Sequence, residues 1–206
     1  METSTQLSRL MTMLAGREPE SETRSQQIML SIVAMFAALA LASIWGVAAG
    51  SSAGPLALAN AVKLPMVVLL SALTALPAGL VALRLTNARL GALELTLAFA
   101  SAIFGGTLVL AALAPLVAIY YHTSAEAGEP LALATVFIAL ATASLVFGRA
   151  VARRVGGKPG RAASLMSVGV LVVLFSAGLL QFVALASPFL AGKTVFDGGF
   201  DTVFGR

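Results

Sequence analysis

An all-α, polytopic transmembrane bundle of five spans, amino end inside and carboxyl end outside, is the fold class this sequence predicts, and three observations predict it. Five apolar runs are each long enough to cross a hydrocarbon layer about 30 Å thick, which takes about 20 residues. Across the 206 residues, 59% are hydrophobic and only 11% charged, outside the range of an ordinary soluble domain. The lysines and arginines, finally, fall on alternate connections between the runs.

The runs cover residues 28–49, 64–83, 95–119, 131–148 and 162–186. Thr23 and Gln26 have the spacing of a capping box ahead of the first. A short interfacial helix is expected from Pro55 to Asn60, before the second run. Pro130 stands where a first helical turn tolerates proline, ahead of the fourth, and Pro188 closes the fifth. Pro77 and Pro115 lie inside spans, where each removes a backbone hydrogen bond. Three segments follow: a cytoplasmic amphipathic part at 1–27, the membrane domain at 28–186 and an outer tail at 187–206.

Positive charge is retained on the cytoplasmic side. With the amino end inside, the inner segments hold Arg9, Arg17, Arg24, Arg84, Arg89, Arg149, Arg153, Arg154, Lys158 and Arg161, and the outer ones only Lys63, Lys193 and Arg206. The expected outer loop at 120–130 has no cation and carries Glu126 and Glu129. The first run is read as a signal anchor and not a cleaved signal peptide. Glu2, Glu18, Glu20 and Glu22 precede it, whereas a signal peptide begins with a short basic stretch. The expected location is a bacterial inner (cytoplasmic) membrane.

Small side chains supply the candidate helix-packing surfaces. Ala34, Ala38, Ala42, Gly46 and Gly50 recur every fourth residue and lay a flat ridge along one helix face, with one GxxxG match. Ala98, Ala102 and Gly106 repeat the device in the third span, with Ser101 and Gly105 one residue earlier. Trp45, Tyr120 and Tyr121 fall near outer span ends, where an aromatic belt belongs. Serine and threonine in spans are expected to bond to their own backbone. Gln181 is the most polar group at depth, and an interhelical hydrogen bond is expected of it. Lys63 and Glu94 stand at span ends, where a lysine snorkels and Glu94 can meet the inner cations.

Function classes are narrowed chiefly by exclusion. No cysteine and a single histidine leave no thiolate nucleophile and no zinc or haem cluster, and no cofactor is called for by any motif. No ionisable side chain stands near the middle of a span, whereas a proton-coupled carrier needs one. Gly50-Ser51-Ser52-Ala53-Gly54 matches a nucleophile-elbow pattern, with His122 and Glu126 on the same expected side. Such a serine needs a strained strand-to-helix turn, and a membrane helix precedes Ser52 instead. The loop 149–161 carries glycines but lacks the Walker spacing. Its Arg149, Arg153, Arg154, Lys158 and Arg161 suit topology and anionic lipid headgroups. Nucleic acid is not an expected partner, because the net charge is only +4 and no aromatics interleave the basic residues.

The ends are the expected contact points. Leu7, Leu10, Met11 and Leu14 recur at helical spacing, describing a short amphipathic helix on the inner membrane face or on a partner. The tail from 193 to 206 places Phe196, Phe200 and Phe204 among aspartates and glycines. Aromatic anchors outside the membrane suit docking to another subunit.

In thread count and direction the chain resembles the Yip1-type membrane proteins, which have five spans, a cytoplasmic amino end and a short outer tail. The resemblance covers the five spans and is one of topology. The Asp-Leu-Tyr-Gly-Pro motif of eukaryotic members has no counterpart here. It implies a membrane adaptor and not an enzyme. The residues alone lead to the same expectation: a non-enzymatic membrane subunit that scaffolds or anchors a complex, with the lipid bilayer and other membrane subunits as partners. A transporter or channel component is the alternative.

Because the chain has no cysteine, its topology is directly testable. A cysteine replacing Glu129 should react with an impermeant thiol reagent in intact cells, and one replacing Lys158 should react only after lysis. The reverse pattern would invert the proposed orientation.

Overall fold

The computed structural model describes residues 8–12, 14, 23–86, 90–155, 161–186 and 189, with only the backbone described at 125, 126 and 161–163. Five helices follow in order: α1 (Arg24–Ala49), α2 (Gly54–Leu85), α3 (Ala92–Thr123), α4 (Ala125–Val155) and α5 (Arg161–Ala186). All five are long and apolar enough to cross a membrane. No strand occurs among the described residues. The fold is an all-α bundle of membrane-spanning helices.

At α1 and α3 a side chain satisfies an N–H group at the helix start, whereas α2 has no side-chain cap and begins with proline in its first turn. At α1, the N–H of Thr23 donates to Gln26 Oε1 (3.0 Å), and the N–H of Gln26 donates to Thr23 Oγ1 (3.4 Å), which closes the capping box read from the sequence. At α3 the Glu94 carboxylate accepts from the Gly91 N–H (2.9 Å). Glycine has no side chain to reciprocate, so only half of such a box exists there. The carboxylate in the first turn also complements the helix dipole.

Two connections are shorter than the hydropathy pattern suggests. The expected loop at 120–130 is helical on both sides of Ser124, which alone separates α3 from α4 in an extended conformation. Its carbonyl accepts from the Gly128 N–H (3.0 Å), so α4 starts earlier and Pro130 lies within it. The expected interfacial helix from Pro55 is likewise continuous with the second span, and α2 carries Pro65 and Pro77 inside it. The physical reason is the same in both places. Hydropathy marks where hydrocarbon ends, whereas a helix runs on into the interface until a cap or a breaker stops it.

Laterally, α1 packs against α2 and α3, α3 against α4, and α2 against α5; α4 and α5 meet less extensively and close the ring. Neighbours α1/α2, α2/α5 and α3/α4 run antiparallel, as shown by the juxtapositions Gly46 to Asn60, Gly79 to Leu171, and Gly106 to Ala139. Helix α3 is central: eleven consecutive residues, Leu97 to Thr107, are buried, on every face of the helix. Of an eighteen-residue apolar stretch of α3, 50% is buried, against 17% for that of α5.

Small residues are frequent inside, beside fully buried Leu95, Phe104, Phe147 and Leu171, and many large ones face outward. Ala34, Ala38, Ala42, Ala75, Ala98, Ala102 and Ala139 are buried, while Phe36, Leu58, Val62, Met66, Phe137, Leu145, Met166 and Val173 are exposed. In water that distribution would be costly. In lipid, burial of large apolar groups gives little advantage, and close backbone approach gives dispersion contacts instead.

At several glycines, Gly46, Gly50, Gly79 and Gly106 among them, the packing leaves no room for a side chain or very little. A Cβ on Gly46 would run into the Asn60 carbonyl, one on Gly50 would lie 2.6 Å from the Ala57 nitrogen, and one on Gly79 would collide with Leu171. A Cβ on Gly106 would lie 3.0 Å from the Ala139 oxygen. Gly148 and Gly169, by contrast, have nothing within 4 Å of that position. Gly46→Leu and Gly79→Leu are therefore expected to lower stability by about 2 kcal/mol or more, from overpacking. Gly148→Leu and Gly169→Leu should stay within about 0.5 kcal/mol, as expected of open surface sites. Steric trapping or denaturation in detergent, read against the parent chain, checks the contrast.

Candidate functional site

The polar groups of the interior are placed by the helices that carry them, and most are satisfied locally. Ser71 Oγ donates to the Val67 carbonyl (2.7 Å), Thr107 Oγ1 to Ile103 (3.0 Å) and Ser144 Oγ to Leu140 (2.8 Å). Ser31, Ser43, Thr142 and Ser176 repeat this return to the carbonyl four residues back. A hydroxyl engaged in this way has given its proton to its own helix.

Cross-helix polar contacts gather at the two ends of the bundle. At one end lie the last turns of α2 and α4 and the first of α3 and α5. Arg154 Nη1 donates to the Glu94 carbonyl (2.6 Å) and ties α4 to α3, while Thr86 Oγ1 and Ser167 Oγ lie 3.5 Å apart across α2 and α5. Arg84, Arg149 and Arg153 are exposed at this basic end. Glu94 thus accepts from a cation of the basic end through its backbone carbonyl, while its carboxylate accepts from the Gly91 N–H.

At the opposite end, Trp45 Nε1 donates to Thr135 Oγ1 (3.0 Å), joining α1 to α4. Trp45 is 4% exposed, so the indole belongs to the interior and not to an aromatic belt. The sequence cannot separate the two roles, because both place tryptophan near a span end. Asn60, fully buried, donates through Nδ2 to the Phe189 carbonyl (2.6 Å), which fastens the chain after α5 onto α2. Lys63 Nζ lies 5.8 Å from the centre of the Phe189 ring. Tyr120 is exposed, and the Tyr121 ring lies against Gly128. Gln181 is exposed on α5 and does not face a neighbouring helix.

Of the small-residue ridges, Ala34, Ala38, Ala42, Gly46 and Gly50 are all buried, with Gly46 and Gly50 against α2. Ala98, Ala102 and Gly106 are buried too, Gly106 against Ala139 and Ala143 of α4. The neighbouring face, Ser101 and Gly105, receives a contact that hydropathy could not indicate. Leu14 of the amino-terminal segment lies 3.1 Å from a Cβ position on Gly105, with Val146 of α4 3.7 Å from it. Leu10 is completely buried.

Between α3, α4 and α5 there is a small apolar cavity of about 20 Å³, lined by Phe99, Ile103, Leu140, Phe147, Val172 and Phe175 among others. Phe99 stands 5.6 Å from Phe147 and 5.5 Å edge-on from Phe175, ring centre to ring centre. This volume is about that of one water, and the lining is apolar but for Ser144, whose hydroxyl donates to the Leu140 carbonyl.

No cluster of His, Cys, Asp or Glu able to hold a metal occurs among the described residues. Ser52 follows α1 in a turn and is exposed, as is His122 at the end of α3. Lys158, Phe196, Phe200 and Phe204 lie outside the described residues, as do the side chains of Glu126 and Arg161. No protein-family model, curated protein or solved structure matches the chain.

Trp45 is the sole tryptophan, so tryptophan fluorescence reports on its surroundings, which include Thr135. Thr135→Val should shift its emission and, in a double-mutant cycle with Trp45→Phe, give a coupling energy of about 1 kcal/mol. A cycle that closes at zero would show that the bond contributes nothing.

Proposed function

We propose that this membrane protein is a non-enzymatic subunit that scaffolds or anchors a larger assembly, in a bacterial cytoplasmic membrane, with its amino end inside. The observation that carries the reading is the composition of the spans. From 64 to 83, 95 to 119, 131 to 148 and 162 to 186 there is no Asp, Glu, Lys, Arg or His, nor from 25 to 49. Ion coupling and proton relays need such groups at depth. The interior hydroxyls that return to their own helices, and the largely apolar lining of the small cavity, support the same reading. Contact with partners then falls to the lipid-facing surface, the basic end and the aromatic tail. Arg149 and Arg153 are exposed where anionic headgroups would add roughly 1 kcal/mol per basic residue. The Yip1-type topology is part of the proposal and rests on span count and charge bias.

Two measurements test it. Vesicles containing only this protein should show no solute flux and no conductance above protein-free vesicles. In mild detergent, the chain taken from its native membrane should migrate well above its own 21.0 kDa plus micelle. Flux in vesicles would favour a transport component. Migration as a single copy without partners would remove the scaffold reading.

A further inference from the structure

Helix α5 has one face in the bundle and one outside it. Leu171 lies against Gly79 of α2, Gly178 against Ser71, and Phe175 against Phe99 of α3. In its apolar stretch only 17% of the residues are buried, less than in any other span. On the side away from these contacts, Leu165, Gly169, Val173, Ala177, Gln181 and Leu185 recur every fourth residue, all of them exposed except the half-buried Ala177. A row at that spacing forms a ridge that packs into the matching groove of another helix at a crossing of about −40 to −50°. Gly169 has nothing within 4 Å of a Cβ position, so the backbone there is open to close approach.

Gln181 is the polar member of this row, and it stands within the hydrocarbon layer. It precedes the end of α5 at Ala186 by about 7 Å, at 1.5 Å per residue. The contact of Gly178 with Ser71 places it at a similar depth from the side of α2. Ser71 lies about 10 Å inside the apolar run that starts at 64, and Gln181 is three residues nearer the edge, so about 6 Å inside. The amide offers two donors and an acceptor, faces away from the bundle and makes no hydrogen bond among the described residues. Exposed Thr74, by contrast, returns its hydroxyl to the Leu70 carbonyl. Lipid chains offer the amide no partner.

We propose that this face of α5 pairs with the same face of a second copy of the chain, the two Gln181 amides hydrogen-bonding to each other. Two features single out a copy as the occupant. Copies threaded by the same charges lie parallel in one membrane, so a two-fold axis along the membrane normal sets each residue of the seam opposite its own counterpart at equal depth. An amide is also its own complement, since the oxygen of each accepts from the NH2 group of the other. A different protein would have to bring a polar group to that depth, whereas a copy brings one by symmetry. The inference goes beyond the scaffold reading and does not rest on it, because a chain that pairs with itself need hold no other subunit.

The test uses the purified full chain in phosphatidylcholine vesicles, labelled with donor or acceptor dye at Ser52→Cys, an exposed turn in a chain with no other cysteine. Energy transfer read against dilution in lipid should give a two-chain equilibrium. Gln181→Leu should raise its dissociation constant about three- to tenfold. Gly169→Leu should raise it at least tenfold while leaving the helicity and stability of the single chain unchanged, since the added side chain meets nothing of its own bundle. In oxidised membranes, Val173→Cys should give a linked pair of chains in at least tenfold higher yield than Phe36→Cys, an equally exposed site on α1. Equal linking from residues 173 and 36 would mark random collision and overturn the pairing. Pairing unmoved by Gln181→Leu would overturn the amide contact. Chains that stay single in vesicles at the highest protein-to-lipid ratio would overturn self-pairing outright; if the same chain still migrates in a large complex from its native membrane, the scaffold reading stands without it.

Discussion

Backbone-to-backbone approach is the constraint on which this structure depends. The Gly46 backbone lies against the Asn60 carbonyl, and Gly106 lies against the backbone of α4, with no space for even a methyl group to be added freely. In lipid there is no aqueous phase to drive large side chains inward, so dispersion contact between closely approaching helices takes that role. The alanines at 34, 38, 42, 98 and 102 serve this approach, Phe104, Phe147 and Leu171 fill the space that it leaves, and Phe36, Leu58 and Phe137 are turned outward.

Once the helices are this close, polar groups have few places to go. Hydroxyls bond to their own helices, and the cross-helix hydrogen bonds are found near the ends: Arg154 with Glu94 and Thr86 with Ser167 at the basic end, Trp45 with Thr135 and Asn60 with Phe189 at the other. These contacts fix the rotation and register of helices whose apolar faces differ little from one another. Register matters more here than in a soluble bundle, because alanine ridges tolerate sliding. The middle of the bundle is left without charge among the described residues, its buried Ser71, Ser101 and Thr107 being small hydroxyl groups.

Much of the fold was legible in the chain because membrane insertion is governed by local quantities. Span length, absence of charge and the capping pair Thr23 and Gln26 are properties of short windows, and they locate all five helices. The helix ends were less legible: Ser124 alone separates α3 from α4, since residues 120–130 contain nothing that forbids a helix. The ridges at Ala34 to Gly50 and Ala98 to Gly106 could be read as contact faces, but not what they contact. Trp45 and Gln181 show the limit. A tryptophan near a span end and an amide at depth each have two sensible orientations, and helical phase relative to neighbours decides between them.

The sequence by itself determined that this is a membrane bundle of five helices with its charge gathered at the ends and none in the middle, because hydrophobic length and charge act residue by residue. Only the tertiary structure decided that α3 is central, that α5 closes against α2, and that Leu10 and Leu14 enter the bundle. Those are long-range pairings, and in a chain so rich in alanine and glycine many faces could pair. The choice among them depends on which glycine meets which carbonyl in three dimensions.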